Sequence, residues 1–148
     1  KKSNISENGK NLIKSFEGCK LTTYLCSAGV KTIGFGSTII NHKPVVEGQK
    51  ITLEEANKAF DSDILVFQNN VLKHIKKPLN QNQFDAIISF VYNVGVGNFK
   101  SSTLLKKLNI NPNDPTIKDE FLKWNKAAGK VVIGLTNRRV KEAELYFK

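Results

Sequence analysis

Apolar residues recur at helical spacing in several segments of the chain, with polar residues between them. A capping box formed by Thr52 and Glu55 precedes the longest periodic segment, and Ser6 is a suitable N-cap for the first one. Gly95 and Gly97 are placed to end the most apolar segment. Helices are therefore predicted at about 6–17, 53–71, 81–94, 101–108, 116–124 and 136–147.

Between the first two helices the pattern changes to short runs rich in threonine, tyrosine and isoleucine, from Leu21 to Phe35. The interruption at Ser27-Ala28-Gly29 predicts a hairpin that turns around Gly29, and a third short strand is predicted at Val45-Val46. Because this β element is separate from the helices rather than alternating with them, the predicted fold class is α+β.

Length and composition are those of a globular protein. The chain has 148 residues, 40% hydrophobic and 24% charged, and it contains no run of 18 apolar residues that would span a membrane. One domain with its own core is expected, and a disordered, collagen-like or disulfide-scaffold protein is excluded.

The formal net charge is +10, and all but two of the 23 basic residues are lysines. A positive field favours polyanionic partners such as nucleic acid, anionic lipid or an anionic cell wall, although scattered lysines can also serve solubility alone. Lysine lacks the planar fork with which arginine reads bases, so the composition argues against sequence-specific nucleic-acid binding.

Glu17 is the first candidate for chemistry, because it follows Phe16 at the predicted end of the first helix. A junction between a helix and a hairpin favours a cleft, and a carboxyl group in an apolar cleft can act as a general acid. The alternative is a solvated surface glutamate. Cys26 and Thr32 lie equally far from Gly29, so a turn around Gly29 would make them cross-strand neighbours that hold a water opposite Glu17. An ordinary packed pair is the alternative.

The two arginines, Arg138 and Arg139, are adjacent at the predicted start of the last helix. Cations are disfavoured at a helix N-terminus, so their position suggests a specific purpose. One guanidinium group is predicted to hold the Glu17 carboxylate, and a surface ion pair or solvated first turn is the alternative.

Two cysteines, Cys19 and Cys26, and two histidines, His42 and His74, do not have the number and spacing of a structural zinc site, so no metal is expected. The thiols are either reduced or joined, depending on the compartment. Because the chain contains no methionine, a processed or trimmed product that lacks a preceding segment is expected.

Several motifs in order resemble the phage-type lysozymes, glycoside hydrolase family 24. The family's Glu-x8-Asp-x5-Thr spacing is kept as Glu17, Cys26 and Thr32, with cysteine in the aspartate position. The matching segments are Phe16-Glu17-Gly18-x2-Leu21-x2-Tyr24, Thr32-Ile33-Gly34-Phe35-Gly36, Gln83-x2-Ala86-x2-Ser89-Phe90-x2-Asn93-x-Gly95, Ser102-Thr103-Leu104-Leu105 and Gly134-Leu135-x2-Arg138-Arg139-x2-Glu142. The likeness runs from about Ser6 to Leu145.

The resemblance implies one lysozyme-like catalytic domain over 1–148. A β-containing lobe at about 18–50 and a helical lobe at about 6–17 and 53–148 would enclose a cleft. It also implies that a monomer hydrolyses the β-1,4 bond between N-acetylmuramic acid and N-acetylglucosamine of peptidoglycan, in the host periplasm or cell wall. No cofactor and no nucleic-acid partner is implied.

By position, Glu17 would protonate the leaving oxygen while Cys26 and Thr32 orient or activate water, with inversion at the sugar carbon. An ordinary thiol is mostly protonated at neutral pH, so Cys26 would need a nearby positive charge to act as a base. The residues implied to bind substrate are Gly34, Phe35, Tyr92, Asn93 and Arg138.

The Cys19 and Cys26 pair resembles that of secreted endolysins of this family, which carry a signal-anchor segment and are activated by disulfide exchange. That resemblance implies regulatory thiols and a membrane-tethered precursor. An extended strand between the two cysteines would span roughly 23 Å, whereas a disulfide allows about 7 Å between Cα atoms. The disulfide and the hairpin should therefore exclude each other.

Two rival functions remain open. A basic binding module would explain the charge but not the ordered motifs, and the sequence has no nucleic-acid-binding signature. A cysteine–histidine wall peptidase or amidase would pair Cys26 with His42 or His74, although both histidines lie in segments expected to face solvent.

Overall fold

The structure is a computed structural model that describes residues 4–26 and 28–148. Its helices are α1 Glu7–Glu17, α2 Leu53–Leu72, α3 Gln81–Val94, α4 Val96–Lys100, α5 Thr103–Ile110, α6 Ile117–Leu122 and α7 Ile133–Tyr146. Its strands are β1 Lys20–Leu25, β2 Lys31–Gly34, β3 Ile39–Ile40, β4 Lys43–Pro44, β5 Lys126–Ala127 and β6 Lys130–Val131. The predicted α+β class is confirmed.

The chain divides into two compact units. The first, called the hairpin unit, is Ile13–Val66, and the second, called the helical unit, joins residues 4–12 to Phe67–Lys148. The boundaries fall within α1 and within α2. In the described part of the chain, no helix is long and apolar enough to cross a membrane.

In the hairpin unit, β1 pairs antiparallel with β2, and an isolated bridge joins Thr22 of β1 to Lys50. The predicted strand at 45–46 is wrong, because the hairpin there forms earlier, from β3 and β4. Asn41 and His42 make its two-residue turn at φ values of 50° and 66°, a conformation that asparagine tolerates better than most residues. Val45 instead buries its side chain in the core.

Helix α3 is the buried centre of the helical unit, as its apolar sequence predicts. The ring of Phe90 lies 5.4 Å from that of Phe121 and 5.9 Å from that of Trp124, both in edge-to-face geometry. A capping box of Asn80 and Gln83 begins the helix, and Gly95 ends it. Gly97 does not end α3 but lies within the short helix α4, which the sequence pattern missed.

Helix α1 begins in the helical unit, on a polar contact with α3. The Gly9 N–H donates to Ser6 Oγ at 3.1 Å, so the predicted N-cap is confirmed. The backbone N–H of Ser6 donates to Asp85 Oδ1 at 3.0 Å, and the Ser6 hydroxyl donates to Asp85 Oδ2. A Cβ atom at Gly9 would lie 2.7 Å from Asp85 Cγ, so glycine is needed for this close approach.

Candidate active site

The turn between β1 and β2 places the candidate residues differently from the predicted register. Thr32 lies opposite Tyr24 rather than Cys26, and the Cys26 N–H donates to Val30 O at 3.0 Å. The reason is Gly29, whose φ of +77° closes a three-residue loop and moves the centre of the turn one residue earlier. Because side chains alternate along a strand, Cys26 and Thr32 still share a face, as diagonal neighbours about 7–8 Å apart.

The turn also surrounds the thiol of Cys26 with hydrogen-bond donors. Hydrogen bonds from the backbone N–H groups of Val30 and Ala28 lower the pKa of Cys26, and desolvation acts in the opposite direction. The sequence predicted that a positive charge would be needed for this. Here the dipoles of backbone N–H groups stabilise the thiolate instead, in the same way that successive N–H groups bind anions in other proteins.

Thr32 is buried, with 2% of its surface exposed, and its hydroxyl donates to Val30 O at 2.8 Å. The hydroxyl proton is thus directed to the backbone of the turn, and the oxygen lone pairs stay available as acceptors. The residue supports the turn that carries Cys26 and also borders the thiol.

Tyr24 connects Glu17 to Cys26. Burial raises the pKa of Tyr24, and the negative charges of Glu17 and Cys26 raise it further, so both groups lie within electrostatic reach of the phenol. The Lys20 ammonium group lies 4.5 Å from the centre of the Tyr24 ring. Glu17 is the half-buried last residue of α1. Within the hairpin unit, the charges of Glu17 and Cys26 therefore both act on Tyr24, which lies opposite Thr32.

Sequence reasoning did not single out Tyr24 as a site residue, although it stands in the first family motif. Strand alternation could have found it, because Tyr24 is two residues before Cys26 and therefore shares its face.

The second cysteine has a different environment. Cys19 is exposed beyond the end of α1, and partial desolvation of its thiol raises the pKa of Cys19 while the charge of Lys14 lowers it. Both cysteines are free thiols, and the strand β1 lies between them.

Gly34 and Phe35 are part of the core of the hairpin unit. Gly34 has a φ of +68°, and a Cβ atom there would lie 3.3 Å from Ala56 Cβ. The Phe35 ring packs edge-on against Phe60 at 5.6 Å, and the Lys14 ammonium group lies 5.3 Å from its centre. Their role in substrate binding stays a prediction. Because of these contacts, Phe35 could offer a substrate only its backbone and the edge of its ring.

The two arginines occupy another place in the helical unit than predicted. Helix α7 begins at Ile133, so Arg138 and Arg139 lie in its second turn and are buried, not at an exposed helix start. The error arose because the helix extends back into Ile133-Gly134-Leu135, where glycine had suggested a loop.

A buried carboxylate organises both guanidinium groups. Glu142 Oε2 lies 3.1 Å from Arg138 Nε and accepts from the Ser89 hydroxyl at 2.5 Å, and its Oε1 lies 3.2 Å from Arg139 Nε. Arg138 also donates to Ser89 O at 2.9 Å. We call Ser89, Arg138, Arg139 and Glu142 the arginine cluster. The pairing of an arginine with Glu17 joins residues of the two units and stays a prediction.

Asn93 and Tyr92 lie at the end of α3, near this cluster in sequence. The exposed Asn93 accepts from Arg139 Nη2 at 2.5 Å, and the half-buried Tyr92 ring lies 5.1 Å from that of Phe67. Their contact with substrate stays a prediction.

The histidines lie in turns. His42 is exposed in the turn between β3 and β4, and His74 follows α2. Across residues 4–26 and 28–148, no three histidine, cysteine or acidic side chains gather as a metal site would require.

Comparison with known proteins gives one family. The sequence model described as "Phage lysozyme" matches residues 14–142. The chain is 46% identical over 145 residues to an endolysin of Bacillus phage B103, covering 97% of this chain and 54% of that protein. It therefore spans about half the length of this relative. It is also 33% identical to a SAR-endolysin of Bacteriophage PS119, covering 87% of this chain and 75% of that protein.

Solved structures agree with this. An endolysin from Escherichia coli O157:H7 phage FAHEc1 superposes with a TM-score of 0.88 at 40% identity, covering 98% of this chain and 94% of that one. The muramidase domain of SpmX from Asticaccaulis excentricus superposes with a TM-score of 0.88 at 32% identity, covering 99% of both chains. The lysozyme-like fold expected from the motifs is confirmed.

Proposed function

We propose that this chain, which belongs to the phage lysozyme family, hydrolyses the β-1,4 bond between N-acetylmuramic acid and N-acetylglucosamine of peptidoglycan. The observation that carries the proposal is that the family match covers Glu17, Cys26 and Thr32. In one compact unit, moreover, the charges of Glu17 and Cys26 both act on Tyr24, which lies opposite Thr32. A structural neighbour named as a muramidase domain and relatives named as endolysins support the same substrate.

Glu17 is proposed as the general acid. Its carboxyl proton passes to the glycosidic oxygen while the bond from that oxygen to the sugar carbon breaks. A water oxygen bonds to the same carbon from the opposite face, which inverts its configuration.

Cys26 is proposed to receive the proton that this water loses. The donors around the thiol lower the pKa of Cys26, so a thiolate is present at lower pH than for an ordinary cysteine. The acceptor oxygen of Thr32, on the same face, would orient the water. Release of the Cys26 proton and reprotonation of Glu17 by solvent restore the starting state.

The test is the release of reducing sugar ends from purified peptidoglycan. Glu17→Gln removes the donated proton but keeps the shape of the side chain, so we expect activity to fall by about 10²- to 10⁴-fold. His42→Gln and His74→Gln serve as controls and should keep wild-type activity. Full activity of Glu17→Gln would contradict the proposal, and loss in a histidine variant would favour a cysteine–histidine hydrolase instead.

Cys26→Ala and Cys26→Asp separate two roles of the thiol. If Cys26 accepts the proton, Cys26→Ala should lose activity and Cys26→Asp should recover it. Equal activity of Cys26→Ala and the wild type would show that Thr32 and solvent suffice.

We also propose that the thiols regulate the site, and that the chain acts as a monomer on the host wall after release of a membrane-tethered precursor. The relative named as a SAR-endolysin supports the tether, and the strand β1 between two free thiols supports the regulation. A Cys19–Cys26 disulfide would require the strand β1 to unfold. Mild oxidation should therefore abolish lysis reversibly in the wild type but not in Cys19→Ser, and equal activity of oxidised and reduced wild type would contradict this.

A further inference from the structure

Residues 64–113 present almost only positive charge to solvent. This stretch contains six lysines and a single acidic residue, Asp85. Asp85 is buried with 0% of its surface exposed, and it accepts hydrogen bonds from Ser6. One third of the chain therefore offers no exposed carboxylate to neutralise its lysines.

Four of these lysines lie around a loop whose backbone is held by two hydrogen bonds to a side chain of α5. Lys73, Lys76 and Lys77 are exposed in the segment after α2. On α5, the Asn109 amide donates to His74 O at 2.9 Å and accepts from the Lys76 N–H at 2.8 Å. The fourth, Lys106, is exposed one turn before Asn109 and hence on its face of α5. We call Lys73, Lys76, Lys77 and Lys106 the lysine patch.

The lysine patch carries uncompensated charge, unlike Lys58, Lys107 and Lys123. Lys107 and Lys123 both bond Glu120, at 2.8 Å and 2.9 Å, and Lys58 pairs with Glu54 at 3.6 Å. Within residues 4–26 and 28–148, none of the ion pairs involves a lysine of the patch. Three of the four lysines lie within five residues, which span at most about 14 Å, and the fourth lies on the neighbouring turn of α5. Together they form a local positive field.

We propose that the lysine patch binds the phosphodiester backbone of an anionic cell-wall polymer and so retains the chain on the wall. This inference rests on the proposed function, which makes the wall the target. Ammonium groups bind phosphates as point charges. Because Asn109 already holds the loop, its backbone has less conformational freedom to lose on binding than an unrestrained loop would have. Segments 72–80 and 103–110 contain no arginine, phenylalanine, tyrosine or tryptophan, so the guanidinium fork and the large aromatic rings that most often read or stack on nucleic-acid bases are absent there.

The test measures binding to soluble poly(glycerol phosphate) over a range of salt concentrations. The patch variant combines Lys73→Gln, Lys76→Gln, Lys77→Gln and Lys106→Gln. A control variant makes the same change at four exposed lysines of the helical unit outside residues 64–113, namely Lys118, Lys126, Lys130 and Lys148. Both variants lose the same net charge, so only position distinguishes them.

Each phosphate contact contributes up to about 0.7 to the slope of log affinity against log salt, so the patch variant should lose up to about 3 units of slope and the control less than about 1. Equal losses in the two variants would overturn the patch in favour of diffuse charge. Absence of wild-type binding would also overturn it. A third outcome would overturn it as well. If the wild type bound a single-stranded oligonucleotide of equal charge more tightly than poly(glycerol phosphate), and the patch variant lost that binding, the site would be one for nucleic acid.

Activity on phosphate-free peptidoglycan separates this inference from the proposed function. The patch variant should release reducing ends at the wild-type rate from that substrate, because the patch lies outside the residues proposed for catalysis. If hydrolysis is normal but the patch and control variants bind the polymer equally well, only the inference about the patch is overturned. Position-dependent binding by a wild type that releases no reducing ends supports the patch and contradicts the muramidase.

Discussion

The Cys26 turn and the arginine cluster use polar groups in opposite ways. At the turn, the half-buried Cys26 keeps part of its surface in solvent, and backbone N–H groups stabilise the anionic form of its thiol. In the cluster, Glu142 and Arg139 have 0% of their surface exposed, and one carboxylate forms ion pairs with both arginines and accepts a hydrogen bond from a serine. The first arrangement leaves a reactive atom accessible to a substrate, whereas the second encloses its charges.

The difference shows that strongly interacting charged residues do not by themselves mark a place of reaction. Burial raises the pKa of Glu142, and the charges of Arg139 and Arg138 beside it act in the opposite direction. Such a group is costly to disturb but is closed to solvent. The group suited to proton transfer is the half-buried Cys26 thiol, whose ionised form is stabilised without full enclosure.

The largest expected effect is on the stability of the helical unit. Glu142→Gln removes the carboxylate that holds Arg138 and Arg139, and breaking a buried ion pair costs about 3–5 kcal/mol. Urea denaturation should show this loss. Ser89→Ala removes one hydrogen bond to the same carboxylate and should cost about 1–3 kcal/mol. A Glu142→Gln protein as stable as wild type would show that the cluster does not hold the helical unit together.

At the turn, Gly29→Ala tests whether backbone conformation positions the thiol. Alanine at a φ of +77° is strained by about 1–2 kcal/mol, a smaller cost than at the arginine cluster. We expect a modest loss of stability together with slower alkylation of Cys26, because relaxation of the turn moves the donor N–H groups. Gly48→Ala, at a φ of +74° in the same unit, is the matched control and should leave alkylation unchanged. Equal slowing in both variants would mean that general destabilisation is responsible.

The two thiols should differ in reactivity. Hydrogen bonds lower the pKa of Cys26, whereas partial desolvation raises the pKa of Cys19, so more of Cys26 is thiolate at neutral pH. Iodoacetamide should label Cys26 several times faster, as measured by mass spectrometry of the two peptides. If Cys26 accepts the proton, activity should fall as the pH drops through its lowered pKa. Faster labelling of Cys19 would contradict the assignment of the thiolate.

The smallest effect concerns a partly buried carboxyl of the hairpin unit, Asp63. Burial raises the pKa of Asp63 against a hydrogen bond from Ser37, which donates to it at 2.7 Å. A raised folded-state pKa means that this contribution to stability is complete below the unfolded pKa and is lost as the pH rises through the folded one.

Asp63→Asn keeps the hydrogen bond but does not ionise, so it should gain stability relative to wild type as the pH rises through that window. A difference of about 0.5 kcal/mol in denaturant unfolding between acidic and neutral pH would fit the size of such changes. A difference independent of pH would show that Asp63 titrates normally.

Periodicity predicted the helices well because their stripes are long and their caps are local. The capping box at Thr52 and Glu55 and the N-cap at Ser6 both form, since each needs only neighbouring residues. The hairpin register was wrong, with Tyr24 rather than Cys26 opposite Thr32. A turn centred on Gly29 and a turn centred one residue earlier fit the same residues, and only the backbone conformation decides between them. Helix α4 and the hairpin of β5 and β6 are too short for a periodic pattern.

The candidate site was partly predictable. The spacing of Glu17, Cys26 and Thr32 came from a resemblance, and strand alternation kept the last two on one face despite the register error. Sequence could not reveal that backbone N–H groups surround the thiol, because they depend on the conformation of the turn. It also placed Arg138 at an exposed helix start, because the helix continues across Gly134, which tertiary packing allows.

The contact of Gly9 with Asp85 restricts how the chain can be redesigned. In a library that varies α1, position 9 should be as intolerant as any core position, although a pattern of surface and core residues would not single it out. An added methyl group would displace the carboxylate that orients Ser6, so a change at residue 9 would undo the start of the helix one turn away. Design of this helix must therefore vary residues 6, 9 and 85 together.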